Sequence, residues 1–190
     1  MAESLSSTDL INKIECAFSH RRIPDEVVCM EGRFQIDSDV EDALWFQGRA
    51  WRDLTNADWE QRHWGFGFLN PMAFAYYLPS ILVLAIQSPE NCSFVAVDTF
   101  VWQLDHSPGV DNLDLPLLER YLEFTNEEFD SVKEWLLWAC ENLTGVFVGG
   151  RRGGPGDGFG RAFDTLLLLQ AEAEKQRKAK AITPTARSGT

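Results

Sequence analysis

The sequence is poor in the residues that build metal, redox and nucleophile centres. Its 190 residues hold three histidines, His20, His63 and His106, and four cysteines, Cys16, Cys29, Cys92 and Cys140. No histidine has a partner at helical ligand spacing and no cysteine pair forms C-x-x-C, so neither a metal nor a cofactor is expected. Gly-x-Ser-x-Gly is missing, and no Cys/His pair carries a local nucleophile signature. No catalytic residue is therefore assigned. Cys16 and Cys140 fall within apolar helical patterns, where a thiol behaves as a small hydrophobe. The first twenty residues hold no apolar signal-peptide core and open on a Ser/Thr cluster. A cytoplasmic protein with reduced thiols is expected.

Basic charge is scarce as well. Lys+Arg 17 stand against Asp+Glu 29, a net charge of −12. The imbalance is uneven. Residues 1–148 carry nine Lys/Arg and 25 Asp/Glu, a balance of −16, while residues 149–190 carry eight and four, a balance of +4. An acidic body repels nucleic acid and anionic lipid, attracts basic partners, and also favours solubility.

Charge of either sign is absent from Trp64 to Pro89. That run is long enough to cross a bilayer, which takes about 20 residues, but its content argues otherwise. Asn70-Pro71 reads as a helix start, because Asn caps free N–H groups and Pro suits the first turn. Gly65 and Gly67 read as connection. Pro79 interrupts the remainder, which predicts two pieces, Pro71–Leu78 and Pro79–Gln87, each too short to span. A helical segment buried on nearly all sides is expected, and no membrane span.

Elsewhere the apolar period is helical. Leu10, Ile14 and Phe18 share one stripe of a first helix. Ser38-x-x-Glu41 reads as a capping box for a short helix over Val40 to Phe46, closed by Gly48. Thr55 caps a further turn around Trp59. Residues 94–104 have strand-like propensity, yet Val97, Phe100, Val101 and Leu104 fall at helical spacing. Thr125-x-x-Glu128 is the clearest capping box, and it opens a helix with Phe129, Val132, Leu136, Cys140 and Leu143 on one stripe, ended by Gly145. The fold class is all-α: a compact single-domain helical bundle with a central Pro-kinked buried helix. The expected organisation is an acidic helical domain over 1–148, a Gly-rich linker over 149–160, a C-terminal amphipathic helix over 161–181 and a disordered tail over 182–190.

From Trp51 the pattern becomes familiar. Trp51, Phe68-Leu69-Asn70-Pro71-Met72-Ala73-Phe74 and Tyr76-Tyr77-Leu78-Pro79 resemble the signature of a small bacterial family of unknown function. Arg120 to Glu128 is similar to a later "R-x-x-x-L-T-x-E" element, with Phe124 where Leu is usual. The resemblance covers about residues 8–145, implies a compact helical domain, and implies no activity.

Two sets of residues compete as a site. Trp45, Trp51, Trp59 and Trp64 are interleaved with Arg49, Arg52 and Arg62. They form either an aromatic recognition surface or a hydrophobic lid with arginines stacked at its edge. Asp37, Asp39, Glu41 and Asp42 form the densest negative cluster, which also suits a solvated helix N-terminus. The candidate partner-binding residues are thus Asp37, Asp39, Glu41, Asp42, Trp45, Trp51 and Arg52. The glycines of residues 149–160 suggest phosphate binding, but the Lys-Ser/Thr of a Walker loop is missing, and two arginines are too few for RNA. The expected function is a non-catalytic acidic interaction module for a basic protein partner, of the bacterial immunity or antitoxin type. The alternative is an enzyme or ligand binder with a pocket between the kinked helices and the Trp-rich turn, using His63, Trp64 and Tyr77.

Overall fold

A computed structural model describes residues 6–29, 38–91, 94–105, 115–143 and 157–182. Their backbone is all-α. The helices are α1 (Ser7–Ala17), α2 (Ser38–Leu44), α3 (Asn56–Arg62), α4 (Pro71–Gln87), α5 (Phe94–Leu104), α6 (Leu115–Tyr121), α7 (Asn126–Asn142) and α8 (Asp157–Ile182). Two 3-10 segments, Trp51–Asp53 and His63–Phe68, flank α3. Extended pairing among the described residues is limited to one isolated antiparallel bridge, Val28 to Leu69.

Most helix starts follow from local chemistry. The Thr55 and Thr125 side chains accept from the backbone N–H groups of Asp58 and Glu128, whose carboxylates accept in return from the threonine N–H groups. The Asn70 side chain accepts from Ala73 N at 2.9 Å, with Pro71 in the first turn. Ser38 departs from expectation. It is the first residue of α2 rather than its cap, and its hydroxyl donates to Asp39. Gly48 takes φ +75°, the left-handed conformation that glycine adopts without strain, as the chain leaves α2. Residues 94–104 are helical, and Val97, Phe100, Val101 and Leu104 are buried.

α4 is the hub. It packs against α1, α5, α6 and the Trp51–Asp53 turn, and 13 of its 17 residues are buried. The sequence predicted a break at Pro79. Instead one helix runs through it from Pro71 to Gln87. A proline removes a single intrahelical donor, and the side chains packed around most of the helix hold the next turn in place. Three aromatic groups pin α4 to its neighbours. Trp59 Nε1 donates to Ser80 Oγ at 2.8 Å. Trp135 Nε1 donates to the Leu82 carbonyl at 2.9 Å. The Tyr77 hydroxyl lies 2.5 Å from the Phe46 carbonyl and 3.0 Å from that of Arg49. Aromatic rings then run through the core in contact, Phe46 on Trp59, Trp59 on Phe66, Phe66 on Phe74 and Phe74 on Phe124.

A buried ion pair closes the bundle between α1 and α7. Glu128 is fully buried, and both its oxygens accept from Arg21, each at 2.7 Å. The same carboxylate completes the α7 capping box. One side chain therefore caps a helix and neutralises the guanidinium of Arg21, which lies in the segment after α1.

α8 corrects the expected organisation. It begins at Asp157, so residues 157–160, predicted as linker, are its first turn. It is not a separate appendage. Phe159, Ala162, Leu166, Leu169 and Ala173 belong to the core, and the helix packs on α5, α6 and α7. The rest of the expected linker, residues 149–156, lies outside the described residues, as do Gly145 and residues 183–190.

Candidate functional site

The Trp-rich stretch divides by burial. Trp59 and Trp51 are buried, at 1% and 4% exposure, and Trp45 is partly buried. Trp64 alone among the four is exposed, at 56%. The arginines stack as the lid reading requires. Arg49 lies 3.8 Å from the Trp45 ring centre and Arg52 lies 4.3 Å from that of Trp51. Arg62 reaches 5.9 Å from Trp45 and pairs with Asp42 at 2.7 Å. Arg52 also faces Glu15 of α1 at 3.7 Å. A cation over an indole face is held by the ring quadrupole, so these arginines seal the edge of a hydrophobic lid.

The described members of the candidate partner-binding set lie on two separate elements, and Trp51 among them is buried. Asp39, Glu41, Asp42 and Trp45 share α2 and the turn after it, while Trp51 and Arg52 lie in the 3-10 turn beside α4. Asp37 lies outside the described residues. Glu41 is exposed and Asp42 is held by Arg62.

The residues of the alternative pocket differ sharply in exposure. Tyr77 is wholly buried, and its hydroxyl faces two backbone carbonyls. Burial, helped by neighbouring Tyr76, pushes its pKa up to about 12. The group therefore stays protonated near neutrality and cannot act there as a base. His63 Nδ1 lies 2.8 Å from the Glu60 carbonyl, and its ring packs on exposed Trp64. His20 lies 3.7 Å from buried Glu128, and His106 lies outside the described residues. Among the described residues no group of three or more His, Cys, Asp or Glu is placed to hold a metal ion. No described helix is long and apolar enough to cross a membrane.

A groove of about 400 Å³ opens elsewhere, where the α6–α7 turn meets the last third of α8. Leu122, Glu123, Phe124, Thr125, Asn126 and Glu127 form one wall, and Ala173, Gln176 and Arg177 form the other. Glu123 and Glu127 are exposed. Hydrogen bonds from its own N–H and from Thr125 lower the Glu127 pKa, so that carboxylate is an anion at neutral pH. Arg177 Nη2 donates to the Phe124 carbonyl at 2.8 Å across the groove. Sequence reasoning missed this feature. The Thr125 box does place Glu127 on an exposed first turn, but no local signal brings Arg177 to it.

Residues 6–142 match the family of unknown function DUF6714. The chain belongs to that family. No curated protein and no solved structure matches it. The family region ends where α7 ends and does not include α8. Several residues that carry the sequence resemblance have structural work. Tyr77 ties α4 to the turn after α2, and Thr125 caps α7. Arg120 donates to Gln103 Oε1 at 2.6 Å and to the Gly67 carbonyl at 2.5 Å, joining α6 to α5 and the 3-10 segment.

Proposed function

We propose that the chain is a non-catalytic acidic module that binds a basic protein, an inhibitor of the bacterial immunity or antitoxin type acting in the cytoplasm. One observation carries the reading: exposed carboxylates left without cations. Asp25, Glu26, Glu41, Asp53, Glu60 and Glu90 are exposed and have no ion pair among the described residues. Residues 1–148 carry 25 acids against nine bases. A surface of one sign speeds encounter with a partner of the other and rejects its own kind. Trp45, Trp51 and Trp59, with Arg49, Arg52 and Arg62, are occupied in the lid and in pinning α4, and of the four tryptophans from Trp45 to Trp64 only Trp64 is exposed. The pocket alternative draws no comparable support, because the Tyr77 hydroxyl is enclosed between backbone carbonyls.

The experiment is binding of a fluorescent octa-arginine peptide, with an octa-glutamate peptide as control, followed by anisotropy at low and high salt. Octa-arginine should bind and weaken as salt rises, chiefly through slower association. If neither peptide binds in a salt-dependent way, the acidity serves solubility alone.

A further inference from the structure

From His63 to Glu119 the sequence holds six Asp/Glu and no Lys or Arg. Two indoles stand exposed in that stretch, Trp64 at 56% and Trp102 at 66%. The fold brings their segments together. Trp64 lies in the 3-10 segment His63–Phe68, which packs with α3 against α5. Residues three apart share a face of a 3-10 helix. Trp64 therefore shares its face with Gly67, where an added methyl would meet nothing within 4 Å. Arg120 donates both to the Gly67 carbonyl and to Gln103, the residue after Trp102. One guanidinium thus holds the two indole-bearing segments side by side.

Each indole has a carboxylate nearby. Asp98 precedes Trp102 by one turn of α5, off the stripe of buried Val97, Phe100, Val101 and Leu104. Desolvation raises its pKa. Glu60 is exposed, and its carbonyl lies 2.8 Å from Nδ1 of His63, whose ring packs on Trp64 at 4.9 Å. Neither carboxylate has an ion pair among the described residues.

We propose that Trp64 and Trp102 form the face on which the basic partner seats arginine side chains, one over each indole, with Glu60 and Asp98 as counter-charges. That the partner is basic rests on the function proposed above. The molecule already contains this arrangement twice. Arg52 lies 4.3 Å from the Trp51 ring centre and faces Glu15. Arg62 lies 5.9 Å from that of Trp45 and pairs with Asp42. A planar guanidinium can stack on an indole while its N–H groups reach a carboxylate, which a lysine ammonium does less well. Among the described residues no cation of the chain lies over Trp64 or Trp102. A guanidinium brought beside Asp98 offsets the desolvation of its carboxylate. Exposed tryptophan is also the residue type that most often carries interface energy.

The test is titration of the full chain with octa-arginine, read by heteronuclear NMR of the indole N–H groups. The chain has seven tryptophans. The signals of Trp64 and Trp102 should move with added peptide, while those of Trp59 and Trp135, hydrogen-bonded in the core, should stay. Trp64→Ala and Trp102→Ala, at exposed positions, assign the two signals. Each should also weaken binding by about two- to fivefold, the worth of one exposed cation–π contact. Glu60→Gln combined with Asp98→Asn should weaken it further and flatten its salt dependence. Glu123→Gln combined with Glu127→Gln, in the groove beside α8, should leave the indole shifts as in wild type. Salt-dependent binding of octa-arginine that moves neither indole signal, or that is as tight in both alanine variants as in wild type, overturns this face and leaves the acidic module standing. A neutral octa-serine peptide that moves the same signals as far overturns recognition of a cation. Absence of any salt-dependent binding of octa-arginine removes the basic partner itself, and this face with it.

Discussion

Replacing Tyr77 by Phe removes one oxygen atom from the middle of the protein. In the wild type that hydroxyl lies between the carbonyls of Phe46 and Arg49 and holds the chain after α2 against α4. Leaving buried carbonyls short of a donor costs about 1–3 kcal/mol, so the variant should be less stable by that amount near neutral pH. The pH dependence tests the cause. Burial raises the Tyr77 pKa from 10.0 to about 12. In the unfolded chain the phenol ionises near its ordinary value; in the folded chain it keeps its proton. The associated stabilisation is present in full below pH 10.0 and is lost as pH rises through about 12. Two pKa units correspond to roughly 2–3 kcal/mol. Urea unfolding followed by tryptophan fluorescence, from about pH 8 to about pH 12, measures both quantities. Wild type should lose stability across the alkaline range faster than Tyr77→Phe, and the two curves should converge. Tyr121 is also raised by burial and remains in both proteins; Tyr76, raised by burial too, packs on Tyr77 and is coupled to it, so the difference between the curves reads the Tyr76–Tyr77 pair. A constant gap between the curves over the whole range would refute the placement of the hydroxyl.

Gly65→Ala should destabilise by about 1–3 kcal/mol, the usual range for overpacking. A methyl group there would meet Ala43 N at 2.6 Å and Asp42 C at 2.7 Å, while Gly67→Ala meets nothing within 4 Å and should melt like wild type. Glu128→Gln should cost about 3–5 kcal/mol, because it leaves the Arg21 guanidinium without its counter-ion; chemical denaturation measures this, and a loss below about 1 kcal/mol would mean that the pair is not buried. Leu78→Asp should abolish cooperative unfolding, since position 78 is wholly buried and an isolated carboxylate there has no partner. A calorimetric transition near that of the wild type would contradict the central position of α4.

The sequence by itself determined what depends on neighbours within a few residues. The caps at Thr55, Asn70 and Thr125 were legible because a capping side chain and the N–H it serves are three residues apart. The helix over 94–104 was legible against its strand-like composition because Val97, Phe100, Val101 and Leu104 keep a helical period. The chargeless run announced a buried helix, since only the interior of the bundle matches such a segment.

The tertiary structure decided the rest. Whether Pro79 ends a helix depends on how firmly its surroundings hold the next turn, and α4 is enclosed nearly all round. The Thr125-x-x-Glu128 pattern does not reveal that Glu128 also faces Arg21, a contact 107 residues apart. The Gly-rich composition before α8 suggested a detached helix, but the apolar seam on α8 finds Trp135 and its neighbours only once α5 and α7 are in place. The groove beside Glu123, Glu127 and Arg177 arises from the same packing. Local hydrogen bonds and periodicity are written within one turn of chain. Burial, ion pairing across the core and the fate of a terminal helix depend on surfaces that exist only after distant segments meet.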